Sequence, residues 1–307
     1  MPPEIDPLRV FDLRALRRHR ERAARCAESA QFLLAESAER LVDRLDDVTH
    51  RFPRALDLGS RQGVLARALQ GRGGIETLVH ADRTLDLLRE APGPKLAVVA
   101  EAEALPFAPR VFDLVLSNLD LHWANDLPGA LLQLRRALKP DGLLLAALLG
   151  GGTLAELRRA LLEAELAEEQ GASPRVSPFA DPRDLGGLLQ RAGFALPVVD
   201  SDTIEVTYPD AFVLMRDLRA MGETNVVTER RRCFTRRATL LRAAAAYAAL
   251  FGRADGRIPA TFEIITLTAW APDESQPKPL PRGSAQTRLA AALEAPDPPP
   301  SGANKSR

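Results

Sequence analysis

Five short apolar runs recur between residues 54 and 149, and a helical stretch or a loop follows each of the first four. "RALDLG" precedes "GVLARALQ", and "TLVHAD" precedes "RTLDLLREA". "LAVVAEA" opens into the loop "EALPFAPRV", and "FDLVLSN" passes through "LDLHWANDLP" into "GALLQLRRAL". After the turn "KPDG" comes "LLLAALLG". Short strands alternating with helices pair in parallel and form a doubly wound α/β sheet. The runs are nearly all apolar, as expected where helices cover both faces. Two later runs, "PVVDSDTIEVTY" and "ATFEIITLTAWA", bring the expected strands to seven.

Other elements flank this core. Residues 8–48 read as helical, ended by Pro53, and residues 1–50 form an N-terminal helical segment. The main domain is expected over 51–271, with its core at 52–150 and helical and strand additions at 151–271. In the additions, Thr153 and Glu156 have capping-box spacing at the head of "TLAELRRALLEAELAEEQ". A helix starts near Asp181 with Pro182 in its first turn, and "PDAFVLMRDLRAMG" is closed by Gly222. A further helix spans 228–251. From Pro272 to 307 the composition predicts a disordered tail, with a short helix in "QTRLAAALE".

Several function classes fall away on composition. Basic and acidic residues number 41 each, so the chain lacks the positive footprint of a nucleic-acid binder. No apolar run reaches membrane-spanning length. Lysine occurs only at 95, 139, 278 and 305, so arginine is the default cation and no arginine cluster is informative by its presence. Cys26 and Cys233 make no disulfide framework, and each reads as a small buried or half-buried apolar residue in a reducing compartment. The four histidines show no metal-ligand spacing. The N-terminus has neither the apolar middle of a signal peptide nor the acid-poor composition of a transit peptide. The expected location is the bacterial cytoplasm.

The chemistry gathers in "ALDLGSRQGVLARAL". Asp57 ends the first strand, and Gly59 and Gly63 bracket the turn. A GxGxxG fingerprint fails because Arg61 and Val64 stand where glycines are required, and no GK[ST] follows for a phosphate loop. What remains is an acid-x-Gly loop whose glycines let backbone amides approach a ligand. In a doubly wound sheet that ligand lies at the carboxyl ends of the strands. Asp82 ends the second strand and can accept from a ribose diol. Glu101 follows the third strand, placed for an adenine edge, and the fourth ends in "SNLDLHW". Acids at successive strand ends around a glycine turn suit a nucleoside with an amino-acid tail, namely S-adenosylmethionine.

On these residues, 52–150 resembles the class I S-adenosylmethionine-dependent methyltransferases. "DLGSRQG", "HAD", "AEAEALPF", "FDLVLSN" and "LKPDGLLL" stand in that family's order. The resemblance implies the seven-stranded Rossmann-like methyltransferase fold with N-terminal helices and C-terminal helical insertions. Over residues 10–284 the chain is similar to one branch, through "SNLDLHWANDLP", "SPFADPRDLGGLLQRAGF", "TYPDAFVLMRDLRAMGETN", "GRIPATFEIITLTAW" and "SQPKPLPRGS". That branch holds the respiratory complex I assembly factors of methyltransferase fold, understood as protein-arginine hydroxylases. A more distant likeness is to the malonyl-carrier-protein methyltransferases of biotin synthesis. The resemblance implies a complex I subunit as protein partner, reached at the inner face of the membrane.

Carried over residue by residue, Asp57, Gly59 and Gly63 would cradle the carboxypropyl end of the cofactor. Asp82 would hold the ribose, and Glu101 with Ala102 would face the adenine. Asn118, Leu121, His122 and Trp123 would line the reacting side. Arg61 replaces the middle glycine of the family's D-L-G-C-G-R-G and brings bulk to the methionine end, where it either blocks the ligand or contacts it. Glu223 and Asn225 are within the range of a substrate.

Blander roles stand beside these. Asp57 could cap the turn, Asp82 the next helix, and Glu101 could be a solvated surface acid. His122 is a weak candidate for a base and could be structural, while Trp123 could cover the cofactor or plug the core. "TERRRCFTRR" reads as a solvated face, or as a contact for an acidic partner. Three functions compete: a side-chain-modifying enzyme of complex I assembly, a methyltransferase with a small or carrier-bound acceptor, and a non-catalytic assembly chaperone.

Overall fold

The computed structural model describes residues 9–25, 31–89, 91, 96–169 and 171–277. The helical N-terminal segment holds two helices, α1 (Leu13–Ala23) and α2 (Phe32–Asp43). Asp12 caps α1 by accepting the Ala15 N–H at 3.0 Å. α2 ends well before Pro53, so the proline is not its stop.

The expected alternation follows as β1 (Arg54–Leu58), α3 (Val64–Leu69), β2 (Thr77–Asp82), α4 (Leu85–Arg89), β3 (Leu96–Val99), β4 (Phe112–Asn118), α5 (Leu127–Ala137) and β5 (Leu138–Leu149). The additions are α6 (Ala155–Glu169), α7 (Pro182–Arg191), β6 (Ala195–Tyr208), α8 (Ala211–Met221), α9 (Arg237–Phe251) and β7 (Ile258–Trp270). Asp126, Asp181 and Asp210 cap α5, α7 and α8, each through a side-chain bond to a first-turn N–H.

The seven strands form one sheet in the order β3-β2-β1-β4-β5-β7-β6. The first five pair in parallel, as the alternation requires. β7 departs from that rule and runs antiparallel to both β5 and β6. Tyr208, the last residue of β6, pairs with Ile258, the first of β7. Two helices lie between them, so the chain returns to the end of the sheet it left.

The sheet is packed on both faces. Along β5, Leu143, Leu145, Ala147 and Leu149 join the core under α2, α3, α6 and α8. The intervening Leu144, Ala146 and Leu148 join the core under α5 and α7. This period of two is that of a strand buried on both sides. A smaller cluster of Phe11, Ala15, Leu16, Trp123, Val226 and Val227 seats α1 over the carboxyl ends of the strands. The N-terminal helices therefore pack on the core, and the described residues up to Asp273 form one unit.

Four local expectations are corrected. "KPDG" is no free turn but a bulge inside β5: the register against β4 moves from Phe112–Leu138 to Leu114–Leu143, with Asp141 at φ 58°. Thr153 and Glu156 do not form a capping box. Thr153 Oγ1 accepts the Glu263 N–H at 3.1 Å, and the Glu156 carboxylate accepts from Thr261, so both side chains tie α6 to β7. The helix expected over 228–251 begins only at Arg237, and residues 228–236 run irregularly along the mouth of a cavity. Cys233 is exposed there, its sulfur accepting from Arg231 Nε at 2.8 Å, rather than buried. Cys26 lies outside the described residues, as does the expected disordered tail beyond residue 277.

Candidate functional site

β1 lies between β2 and β4, and the chain leaves it in opposite directions to reach them. Such a switch point opens a crevice at the carboxyl ends of the strands. The loop over it is wound left-handed at three positions: Gly59 (φ 70°), Arg61 (φ 52°) and Gly63 (φ 73°). Gly59 is also crowded, since a Cβ there would stand 2.4 Å from Asp120 Cβ. Gly59→Ala is therefore expected to cost about 1–3 kcal/mol through overpacking and a strained φ. Urea denaturation checks this, and an unchanged midpoint would show that the loop relaxes freely.

The ends of β1 and β2 each carry a buried acid, Asp57 and Asp82. Asp57 Oδ2 lies 3.0 Å from His80 Nδ1 on β2, and its Oδ1 is buried without a hydrogen-bond partner. Burial pushes the Asp57 carboxyl up, and His80 only partly offsets that. Asp82 Oδ1 accepts the N–H and hydroxyl of Thr84 at 2.9 and 2.8 Å, while its Oδ2 accepts the Arg61 N–H at 3.0 Å. Asp82 thus caps the turn into α4 and staples the glycine loop. Asn118 donates from Nδ2 to the Leu34 carbonyl at 2.8 Å and leaves Oδ1 unpartnered. Glu101 is half-buried in a turn closed by the Ala104 N–H, with Ala102 buried beside it.

Two arginines cross this crevice. Arg20 of α1 is wholly buried and forms an ion pair with Asp120, which Arg83 Nη2 approaches at 3.9 Å. Arg61 donates from Nη1 to the Met221 carbonyl at 2.9 Å and from Nη2 to the Leu119 carbonyl at 3.2 Å. It also forms an ion pair with Glu223. Burial alone would raise both carboxyls. For Asp120, Arg20 and Arg83 outweigh that, and for Glu223, Arg61 and the His122 contact do. Both acids lie well below the ordinary carboxylate range and stay ionised.

Leu121, His122 and Trp123 form one 3-10 turn after β4, all buried. Trp123 Nε1 donates to Glu223 Oε2 at 3.0 Å. His122 Nε2 lies 3.4 Å from the same oxygen, and its Nδ1 lies 3.5 Å from the Leu149 N–H. Burial lowers the His122 pKa, so the ring is neutral at pH 7. A backbone N–H at Nδ1 puts the ring proton on Nε2, directed at Glu223. With both nitrogens engaged, His122 orients Glu223.

Beyond Glu223 opens a cavity of about 440 Å³. Its walls are mostly aliphatic and aromatic, with Leu33, Leu157, Met215, Leu218 and Phe179 among them. Trp123, Glu223 and Asn225 line it as well. Asn225 is committed to the loops, donating to the Pro174 carbonyl at 2.6 Å and accepting the Val227 N–H at 2.9 Å. His19 Nδ1 lies 2.6 Å from the Thr224 hydroxyl, and burial with nearby Arg22 lowers its pKa to about 4.

The donor set suits S-adenosylmethionine. Asp57 Oδ1, Ser60 Oγ and Asn118 Oδ1 are buried, unpartnered and gathered around the glycine loop. Space is the constraint: between Asp57, Gly59, Arg61 and Asn118 there is no room even for a water molecule, whereas ligand pockets begin at roughly 300 Å³. Arg61 forms one wall of this space. Among the described residues no group of His, Cys, Asp and Glu could hold a metal ion, and no helix is long and apolar enough to cross a membrane.

Of the residues expected from sequence, the fold brings Asp57, Gly59, Arg61, Gly63, Asp82 and Asn118 together at the crevice. Trp123, Glu223 and Asn225 line the cavity, with His122 behind Glu223, whereas Leu121, expected on the substrate side, is buried in the core under α5 and α7 and does not reach it; Glu101 and Ala102 follow β3 at the flank. Sequence reasoning missed Arg20, His80, Arg83 and Asp120. His80 and Asp120 stood inside quoted motifs, "HAD" and "LDLHW", and could have been read. Arg20 gave no signal in a chain where arginine is the default cation.

The Methyltransferase domain family matches residues 56–146. The chain is 42% identical over 288 residues to the "Arginine-hydroxylase NDUFAF5, mitochondrial" of Danio rerio, covering 92% of this chain and 89% of that protein. The identity to the Homo sapiens protein of the same name is 44%, covering 91% and 81%. To the "Malonyl-[acyl-carrier protein] O-methyltransferase" of Xylella fastidiosa (strain M23) it is 37%, covering 86% and 89%. The solved structure of the YcgJ protein from Bacillus subtilis has the same fold, with a TM-score of 0.53 at 14% identity over 76% of this chain and 98% of that one.

Proposed function

The chain belongs to the enzyme family that includes the mitochondrial arginine-hydroxylase NDUFAF5 and the malonyl-[acyl-carrier protein] O-methyltransferases, and from that membership we propose that it binds S-adenosylmethionine and modifies an arginine side chain of a complex I subunit. The observation that carries this reading is the set of unpartnered buried oxygens of Asp57, Ser60 and Asn118 beside an apolar cavity that ends in Glu223. The unpartnered oxygens support a polar ligand once Arg61 turns aside, and the apolar cavity supports a second substrate.

For methyl transfer, the bound cofactor would supply a sulfonium that activates its methyl group, whereas hydroxylation would take its oxygen from an external oxidant. This chain's own residues do the rest. The Gly59–Gly63 loop presents backbone to the amino-acid end, and Asp57 and Asn118 offer acceptors there. Asp82, already fixed by Thr84 and Arg61, keeps lone-pair capacity for a ribose hydroxyl. Glu101 and Ala102 flank the adenine side. Trp123 and Phe179 wall the second substrate off from water.

Asp82→Ala is expected to weaken S-adenosylmethionine binding by about 1–3 kcal/mol, the usual loss when a buried polar partner goes unpaired. Calorimetry checks it, and equal affinity in the variant would remove Asp82 from the site. The reaction is tested by mass spectrometry of complex I subunits from a deletion strain. Loss of one oxygen from an arginine supports hydroxylation, and loss of one methylene supports methyl transfer to a protein. The 37% identity to the malonyl-[acyl-carrier protein] enzyme favours a carrier-bound acceptor as the second reading. Subunit spectra that do not change would turn the assignment that way.

A further inference from the structure

Arg61 makes an unusual set of contacts for a residue on a ligand loop. Its guanidinium lies among the Leu119 carbonyl, the Met221 carbonyl and the Glu223 carboxylate. Two neutral acceptors and one anion around a planar five-donor cation form a receptor for a guanidinium. The receptor is also held from behind. Trp123 Nε1 donates to Glu223 Oε2 at 3.0 Å, and His122 Nε2 lies 3.4 Å from it. Glu223 therefore keeps its place whether or not Arg61 does.

Glu223 is also the only carboxylate among the residues lining the cavity of about 440 Å³. The three lining arginines are paired outward: Arg175 with Glu165, Arg230 with Asp12, and Arg231 with Glu169. They cancel locally, so among the described lining residues Glu223, paired with Arg61 from the crevice side, is the anion that a cation entering the cavity would compete for. Leu33, Leu157, Met215 and Leu218 offer the aliphatic surface along which a methylene stem would lie.

We propose that Glu223, with the Leu119 and Met221 carbonyls, is the receptor for a guanidinium-bearing side chain entering the apolar cavity, and that Arg61 is its resident surrogate, displaced by that side chain. The inference rests on the reading that the acceptor is an arginine, and it adds which residues recognise it. Arg61 keeps Glu223 neutralised while the cavity is empty. An ionised carboxylate buried without a partner is expensive, so the resting pair keeps the empty enzyme stable. Glu223 acts here as a specificity-determining residue and Arg61 as a positioning residue.

The test is equilibrium binding by calorimetry, with acetyl-arginine amide against acetyl-citrulline amide, which has nearly the same shape and no charge. The native chain is expected to prefer the arginine probe by at least about tenfold. Arg61→Gly, with its competitor gone, is expected to bind that probe about tenfold more tightly than the native chain. Since Glu223→Gln alone could fail to fold, the Glu223 arm uses Arg61→Gly/Glu223→Gln, which removes both charges together. This double variant is expected to lose the preference. Equal binding of the two probes by the native chain overturns the proposal. So does binding in Arg61→Gly with none in the native chain, because Arg61 is then a fixed structural partner. The mass-spectrometric experiment separates this from the reaction. An arginine mark with no probe preference overturns the receptor and leaves the reaction standing. Arginine-selective, Glu223-dependent binding with no mark does the reverse.

Discussion

Asp120→Ala is expected to destabilise the chain by about 3–5 kcal/mol, the usual cost of removing one partner from a buried ion pair. Arg20 has no solvent exposure at all, and Asp120 is 3% exposed. Without Asp120, the Arg20 guanidinium keeps only the more distant Asp82 and Glu223, and Arg83 loses the carboxylate 3.9 Å away. Burying an uncompensated guanidinium is much costlier than losing an exposed pair. Urea denaturation measures the effect, and stability within about 0.5 kcal/mol of native, the range of an ordinary surface change, would show that Arg20 is not held by this contact. Arg20→Met/Asp120→Leu removes both charges and is expected to recover most of the loss.

The same pair sets the response to acid. The Asp120 and Glu223 carboxyls are held below their unfolded values. Their contribution is complete above an unfolded-state pKa near 4 and is lost as the pH falls below it toward the folded-state values. Native stability is therefore expected to decline below about pH 4. Asp120→Ala should show a flatter decline, because one of the two groups is gone.

The second large effect concerns the cofactor. Arg61→Gly is expected to bind S-adenosylmethionine about tenfold or more tightly than the native chain, while losing stability. Two terms act in the same direction on binding, while relief of the non-glycine φ of 52°, about 1–2 kcal/mol, offsets part of the stability loss. The side chain closes a crevice with no room for a water molecule, which the ligand must open. Turning it out breaks an ion pair and two carbonyl hydrogen bonds, each of which a binding ligand must offset. The cost appears in the empty protein, where Glu223 loses its counter-ion. A gain in affinity bought with lost stability is the trade expected at a functional site. Weaker binding in the variant would make Arg61 a ligand of the cofactor instead of its obstacle.

The sheet was largely legible because strand-helix alternation and apolar runs are local properties. Loop glycines and strand-end acids could be read for the same reason: Gly59, Gly63, Asp57 and Asp82 all stand beside a recognisable strand. The direction of β7 could not be read, since a strand's composition is the same whichever way it runs, and only the two helices before it reverse its course. The Thr153–Glu156 spacing was read as a cap because a capping box is a local pattern, yet Thr261 and Glu263 on β7 compete for both side chains. Arg61 stands out in the sequence as the departure from the family's glycine, and it holds a left-handed φ of 52°. Its partner Glu223 was placed near the substrate with no reason to connect the two. That connection depends on α8 ending over the crevice.

Phe11 pairs with Val227 in an isolated antiparallel bridge, and the Asp12 N–H donates to the Val226 carbonyl at 2.8 Å. The first helix is thus anchored by a segment more than two hundred residues downstream. During synthesis α1 has to wait, with Arg20 hydrated, while most of the sheet emerges and folds. Contacts so distant along the chain form late and slowly. An element that docks last, through a small apolar cluster, is also one that can undock without unfolding the rest. The same helix that carries Arg20 into the crevice is then the natural door to it, and amide hydrogen exchange in α1 should outpace that in β1, β4 and β5.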